Sequence, residues 1–305
     1  MDNLCHTLVG AALAESGLKR RTKFGYATLL LGANLPDIDG FAMFTGYGLG
    51  FRRGLTHGLP ALVILPLLLT AAVVWWGRTV GRANIEPVRP RQMLLLAGIA
   101  TLTHPVLDWL NTYGMRWLMP FSGRWFYGDS LFIVDPWLLL MLGGGVLMAK
   151  RYSRHGRADA GRPAAVGLAL CSAYIVGMLG LTAVGRWVAA RDLGLVRPGA
   201  RQLMVGPVFL RSYRREVIVD AGDRYRFGEI EWLPRPVLRM RPQEIPKGLS
   251  PAEVARLGLD ARGHRFLDWS RFPFCVVEGD QVGINDARYS RGGASWAMVT
   301  VRREQ

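Results

Sequence analysis

The chain has 305 residues, of which 50% are hydrophobic, and it carries a formal net charge of +15. This length exceeds that of most single domains, so two structural units are expected. The cysteines are only three and lack a CxxC pair, which excludes a disulfide framework and a thiolate metal site.

Two short apolar segments, residues 4–18 and 24–39, begin the chain and are separated by a basic run at residues 19–23. A secretory signal is the alternative interpretation of this region. However, the positive charges follow the first apolar segment instead of preceding it, and no clear small-residue cleavage site comes next. We therefore predict two short helices joined by a charged turn.

Four longer apolar segments follow. Residues 59–77 and 164–185 are uncharged, and each is long enough to cross about 30 Å of hydrocarbon as a helix. Residues 93–113 and 131–149 are similar in length and carry polar residues near one end. The predicted fold of residues 1–189 is therefore an α-helical polytopic membrane domain of about six helices.

The distribution of lysine and arginine predicts the orientation of these helices. Thirteen basic residues fall in the loops 17–23, 78–92 and 150–163, whereas the loops 37–58 and 114–130 hold only four. By the positive-inside rule, the first set of loops is cytoplasmic. The chain beyond residue 190 is then extracytoplasmic, which means periplasmic in a Gram-negative cell.

The region from residue 190 to residue 305 has a different texture and is predicted to form a small, mostly-β soluble domain. Strands are expected near residues 203–210, 214–220, 224–232, 273–278, 281–288 and 295–302. A short helix is expected at 251–258, because Ser250 can cap it and Glu253 lies three residues later. The region holds 20 basic and 14 acidic residues, a modest excess that suits anionic lipid headgroups better than nucleic acid.

Residues 103–108, Thr-His-Pro-Val-Leu-Asp, carry the strongest local pattern. His104 and Asp108 are four positions apart, which on a helix places an imidazole and a carboxylate side by side. Two ligands of one metal ion need this arrangement. A hydrogen bond between the two side chains, without any metal, is the alternative.

Two carboxylates, Asp37 and Asp39, stand at the end of the second apolar segment between Pro36 and Gly40. These flanking residues predict that the backbone leaves helical geometry, which can turn both carboxylates toward one point. A helix cap would account for one of them. Like charges this close to hydrocarbon repel unless a cation lies between them, so a bound cation explains the pair better.

His57, which ends the sequence Arg-Gly-Leu-Thr-His, and His6 in the first segment complete the set. Each histidine alone is more often a structural residue than a ligand. Ionisable side chains within membrane spans are costly and usually functional, so six at one depth indicate a shared site. Mixed imidazole and carboxylate groups suit zinc, manganese or iron better than magnesium or calcium.

Three further polar residues are candidates for roles beside this site. Asp135 precedes Pro136 and is explained equally well as a helix cap, as an orienting partner of a ligating histidine or as a proton acceptor. Asn111 and Tyr113 are candidates to bind an oxyanion, although Tyr113 equally suits anchoring at the membrane interface.

Taken together, residues 1 to about 150 resemble the YdjM-type inner-membrane proteins. The resemblance implies a membrane-bound, metal-dependent hydrolase, distantly similar to zinc-dependent phospholipase C and the single-strand nucleases of its fold. The matching pieces are His6, Leu35-Pro36-Asp37-Ile38-Asp39, Arg53-Gly54-Leu55-Thr56-His57, Thr103-His104-Pro105-Val106-Leu107-Asp108, Asn111-Thr112-Tyr113-Gly114 and Asp135-Pro136. The metal ligands that it implies are His6, Asp37, Asp39, His57, His104 and Asp108.

The chain departs from this family at two positions. Arg52 stands where relatives often have histidine, and Gly58 stands where they often have serine. If that histidine is a ligand in relatives, one metal position is weakened here.

The leading functional hypothesis is metal-assisted hydrolysis of a phosphoester or ester of a lipid-like substrate at the outer face of the inner membrane. Its rivals are an ion- or proton-coupled transporter and a non-catalytic assembly protein with a structural metal. Polar groups concentrated at one end of the spans, with no internal repeat, favour the hydrolase over a transporter.

Overall fold

The computed structural model describes residues 1–45, 52–79, 88–199, 201–255, 257, 259, 261–290 and 297–302. These residues belong to two compact units. The first unit comprises Met1–Ile38 and Arg53–Leu179, and the second comprises Asp39–Arg52 and Gly180–Gln305.

Each of the six apolar segments contains a helix, as the sequence predicted. The Asp2 side chain caps the first helix by accepting the N–H of Cys5, and Pro90 and Pro136 occupy first-turn positions of two others. The helices are α1 (Asn3–Glu15), α2 (Gly25–Asn34), α3 (Ala61–Thr79), α4 (Pro90–Trp109), α5 (Pro136–Arg154) and α6 (Arg162–Asp192).

Within the described part of the chain, α3 and α6 are long and apolar enough to cross a membrane. The 13 residues of α1 and the 10 residues of α2 extend only about 20 and 15 Å at about 1.5 Å per residue. A hydrocarbon core is about 30 Å thick, so neither short helix crosses it alone. The predicted helical N-terminal part is thus confirmed. That all six helices take part in crossing the membrane stays a prediction.

Small residues allow α1, α2 and α4 to pack closely. A Cβ atom at Gly10 would lie 2.6 Å from the backbone oxygen of Leu29, and one at Gly32 would lie 2.9 Å from the Cβ of Ala100. Buried Leu29 and Leu96 fill the contact beside these positions. This packing brings the start of α1 and the end of α2 toward the end of α4.

The chain leaves α-helical geometry after α2, as Pro36 and Gly40 predicted. Residues Leu35–Thr45 form a 3₁₀ segment, which begins with the residues around Asp37. A tighter turn rotates successive side chains differently from an α-helix, so Asp37 leaves the face that α2 would otherwise give it.

The chain between α4 and α5 folds against the loop that precedes α3. The Leu59 N–H donates to the Trp117 oxygen at 2.9 Å, and the Arg116 N–H donates to the Arg53 oxygen at 3.1 Å. A Cβ atom at Gly58 would lie 2.4 Å from the Met119 oxygen, so only glycine permits this approach. These contacts hold the loop containing His57 in place.

The second unit contains two antiparallel sheets among its described residues. The first sheet has the order β1 (Leu203–Val208), β2 (Arg211–Asp220), β3 (Arg224–Glu231) and β4 (Val237–Pro246). The second sheet has the order β5 (Pro273–Glu278), β6 (Gln281–Asp286) and β7 (Met298–Arg302). The predicted β-rich C-terminal region is confirmed.

Alternating side chains of the first sheet form two separate cores, as expected for a period of two. Leu203 and Val205 pack with Val188 of α6 on one face, whereas Met204 and Ile218 pack on the other face with buried aromatic residues that include Phe274 of the second sheet. The last turns of α6 therefore supply part of the core of this unit.

Among the described α-helices and strands, β4 and a helix α8 (Ala261–Trp269) were not predicted from the sequence. The predicted short helix is present as α7 (Pro251–Ala255), and its cap is confirmed, because the Glu253 N–H donates to the Ser250 hydroxyl while the Ser250 N–H donates to the Glu253 carboxylate. Residues 256 and 258 of that prediction, and residues 295 and 296 of the last strand prediction, lie outside the described residues.

Candidate metal centre

Four of the predicted ligand residues converge on one point of the first unit. One ligand atom from each of Asp37, His57, His104 and Asp108 lies within 4.8 Å of the other three. His57, His104 and Asp108 are fully buried, and the Asp37 side chain is 7% exposed. We call this group the four-ligand cluster.

Two carboxylates and two imidazoles alternate around the four-ligand cluster. The His57 Nε2 atom lies 3.4 Å from an Asp108 oxygen and 3.9 Å from an Asp37 oxygen. The His104 Nε2 atom lies 3.7 Å and 3.6 Å from the same two oxygens. Because His104 and Asp108 are one turn apart on α4, the predicted pairing on one helix face is present.

The hydrogen bond at Nδ1 of the His104 ring determines whether Nε2 carries a hydrogen or a lone pair. His104 Nδ1 lies 2.6 Å from the Ala33 backbone oxygen, which can only accept, so Nδ1 carries the hydrogen. In the neutral ring Nε2 is then a bare lone pair, and it faces the carboxylate oxygens of Asp37 and Asp108. Three electron-rich atoms at this spacing favour a cation among them, either a proton or a metal ion.

The imidazole–carboxylate distances are compatible with a bound metal ion. Ligands about 2.1 Å from a tetrahedral zinc ion are about 3.4 Å from one another, and the four pairs above range from 3.4 to 3.9 Å. A direct hydrogen bond needs about 2.7–3.2 Å. The donor set of two imidazoles and two carboxylates suits zinc, manganese or iron.

The two remaining predicted ligands are placed differently from the four-ligand cluster. His6 is fully buried and adjoins it, with its ring stacked on His104 at 3.7 Å and its Nε2 atom 3.3 Å from Asp108. Asp39 belongs to the second compact unit, where its carboxylate lies 3.8 Å from the Arg52 guanidinium. Arg52 thus places a positive group beside Asp39.

Asn111 is buried beside the cluster, and the oxygen of its side-chain amide accepts hydrogen bonds. Its oxygen accepts from the Tyr113 N–H and from the Arg53 guanidinium, both at 2.9 Å. Its Nδ2 group donates no hydrogen bond to any of the residues that the structure describes.

Asp135 caps α5, which is one of the roles considered from the sequence. One of its oxygens accepts the N–H groups of Trp137 and Leu138 at 3.0 and 3.3 Å, and the other accepts the Tyr174 hydroxyl at 3.0 Å. Tyr174 was not identified from the sequence, since it lies in the middle of the apolar span α6.

Comparison with known proteins identifies the family. A family model described as "YdjM inner membrane protein" matches residues 1–185, which is more than half of the chain. The chain belongs to this family. Searches of curated proteins and of solved structures find no match to this chain.

In this YdjM-family chain, Arg53 is a candidate site residue that the sequence did not predict. It is 4% exposed, and its Nε and Nη2 atoms lie 2.7 and 2.9 Å from the two oxygens of Asp108. The guanidinium also stacks 4.6 Å from the centre of the Tyr113 ring. Such a fork fixes the plane of the carboxylate and offsets its charge. The amino group of Met1 also contacts Asp108.

The sequence does contain a pattern that could have revealed Arg53. An arginine shortly before an apolar span is costly to bury unless it is paired, and Asp108 is one of few acidic residues in the first unit. The motif containing Arg53 by itself indicates only His57 as a ligand, because nothing local links Arg53 to Asp108.

We expect Arg53→Lys to lower the metal affinity of this YdjM-family protein by about 10- to 100-fold. Lysine keeps the positive charge but cannot form two parallel hydrogen bonds, so Asp108 loses its fixed orientation. The measurement is a competition titration with a zinc-sensitive dye. Arg116→Lys, which changes an arginine of the neighbouring loop, is the control, and equal affinities of the two variants would contradict the role.

Proposed function

We propose that this protein is a membrane-bound, metal-dependent hydrolase that acts on a phosphoester or ester of a lipid-like substrate. The observation that carries the proposal is the His104 Nε2 lone pair facing two carboxylates inside the four-ligand cluster. A buried arrangement of this kind has a ready explanation if it binds a divalent cation.

The residues that would hold the metal are Asp37, His57, His104 and Asp108, with His6 adjoining them. Asp39 remains in the proposed ligand set from the family resemblance. A divalent ion, zinc in the first instance and manganese or iron otherwise, lowers the pKa of bound water from 15.7 to about 7 and polarises the scissile group.

Asn111 is the proposed donor to the developing oxyanion. Its Nδ2 group is buried and donates to no described residue, while Arg53 and the Tyr113 N–H hold its oxygen. A donor fixed in advance stabilises negative charge without reorganising during the reaction. Asp135 is proposed to accept a proton or to orient a ligand, and the Tyr174 hydroxyl would hold its carboxylate.

The proposed location is the outer face of the bacterial inner membrane. The family description and the apolar helices α3 and α6 support an association with the membrane. We further propose a multi-pass domain over residues 1–189 and a periplasmic β domain over residues 190–305, for which the excess of basic residues in alternate loops is the support. A site at headgroup depth makes membrane lipid the convenient substrate.

The test is purification of the full chain in detergent, followed by elemental analysis and assays on phospholipid vesicles and on a soluble nitrophenyl phosphodiester. We expect stoichiometric divalent metal, and hydrolysis that a chelator removes and added metal restores. A preparation without stoichiometric metal, or a loaded protein that turns over neither type of substrate, would overturn the proposal.

A further inference from the structure

A second feature of the first unit is an apolar groove between four helices. Its walls come from α1, α4, α5 and α6, and its volume is about 460 Å³. Two hydroxyl groups, those of Thr103 and Ser172, lie along it, and each donates to a backbone oxygen of its own helix. Apart from these hydroxyls and the thiols of Cys5 and Cys171, the lining side chains are hydrocarbon, which suits an apolar ligand.

The helix directions show that the groove begins beside the four-ligand cluster. The end of the groove nearer the cluster is lined by Cys5, which precedes His6 on α1, and by Leu107, which precedes Asp108 on α4. The opposite end, which we call the lower groove, is lined by Leu13 and Ile99. Each lies eight positions from the residue of its own helix at the cluster end. Eight residues at about 1.5 Å each give the groove a length of about 12 Å.

The other two walls run alongside in the same register. On α5 the groove extends from Leu138, three residues after Asp135, to Leu142. On α6, a candidate membrane span, it extends from Ile175 to Leu168. The lower part of the groove is thereby lined by a helix apolar enough to lie in hydrocarbon.

We propose that this groove binds an acyl chain of the lipid substrate while its ester or phosphoester group lies at the four-ligand cluster. The inference rests on the proposed function and adds the substrate class, an acylated lipid.

The dimensions of the groove suit an acyl chain. The groove has a volume of about 460 Å³ and is about 12 Å long along its helices. A methylene chain is only about 4 Å across, from the spacing of carbon atoms in contact. A single methylene chain therefore fits along the groove.

Direct labelling tests the inference without relying on hydrolysis. The full chain in lipid nanodiscs receives a phosphatidylcholine with a diazirine near the end of one acyl chain, and mass spectrometry maps the cross-links. We expect labels on the lower groove near Leu13, Ile99 and Leu168. Labels spread evenly over the exposed faces of α3 and α6 would overturn the inference, as would a dimer whose contacts protect the groove from the label.

Groove-filling variants provide the second measurement. Leu168→Trp and Ile99→Trp narrow the lower groove without touching a ligand residue, and Val176→Trp adds the same ring at an exposed position of α6. We expect filling to reduce acyl labelling by at least about fivefold relative to Val176→Trp, since lost apolar burial lowers occupancy.

The same variants separate failure of this inference from failure of the proposed function. Filling should lower turnover of the long-chain phospholipid but leave metal content and turnover of the soluble phosphodiester unchanged. Equal loss on both substrates would place the defect in the catalytic site and reject the groove. If no preparation shows turnover, the proposed function fails. Labelling of the groove then shows by itself whether the groove binds an acyl chain.

Discussion

The double variant Asp37→Ala, His104→Ala is expected to lose stoichiometric metal and all metal-dependent hydrolysis. It removes one carboxylate and one imidazole from the four-ligand cluster, leaving His57 and Asp108. Changes to groups that only orient ligands already cost about 10- to 100-fold in affinity or activity, so removal of two ligands should cost more than about 100-fold.

The measurement pairs elemental analysis with thermal unfolding in the same detergent. Added zinc should raise the unfolding temperature of the unsubstituted protein, because an ion that binds only the folded state stabilises it, and should leave the double variant unchanged. His155→Ala is the matched control, since this histidine is exposed at the end of α5. A double variant that still binds and responds to zinc would show that the cluster is not the metal centre.

The second large effect is expected in the β unit, where Asp286→Asn should strongly destabilise the second sheet. Asp286 is fully buried and accepts hydrogen bonds from the Ser270 hydroxyl at 2.7 Å and from the Arg288 guanidinium at 2.8 and 2.9 Å. Asparagine removes the charge that offsets the buried Arg288. Breaking a buried ion pair on one side costs about 3–5 kcal/mol.

The same contacts predict how the stability of this sheet depends on pH. Burial alone would raise the pKa of Asp286, but the charge of Arg288 and its hydrogen bonds, with that of Ser270, hold the pKa below the ordinary value of 3.8. A carboxyl with a lowered folded-state pKa stabilises the fold at neutral pH. That contribution is lost as the pH falls from 3.8 through the folded-state pKa.

Hydrogen exchange on the full chain measures both effects. Peptides containing β6 should lose at least about a hundredfold of protection in Asp286→Asn at neutral pH, as expected from about 1.4 kcal/mol per tenfold. Asp268→Asn, at an exposed position of α8, is the control. The difference between the two variants should shrink below pH 3.8, and a difference independent of pH would contradict the electrostatic explanation.

The sequence alone determined the division into a helical part and a β-rich part, as well as the residue types of the candidate site. Hydrophobic runs and alternation are local properties, because a helix or strand must cover its own apolar face. The pairing of His104 with Asp108 was equally local, since one helical turn separates them. The edge strand β4 was not predicted, because Pro242 and several charged residues interrupt its alternation of apolar and polar residues.

The tertiary structure decided which residues meet. Asp37 and Asp39 are indistinguishable in sequence, yet Asp37 faces His104 because a 3₁₀ segment turns it there, whereas Asp39 lies near Arg52. The role of Arg53 likewise depends on Asp108, 55 residues away. Such pairings arise from close packing of whole helices, which glycine positions such as Gly10 permit, and no local pattern in the chain encodes their distances.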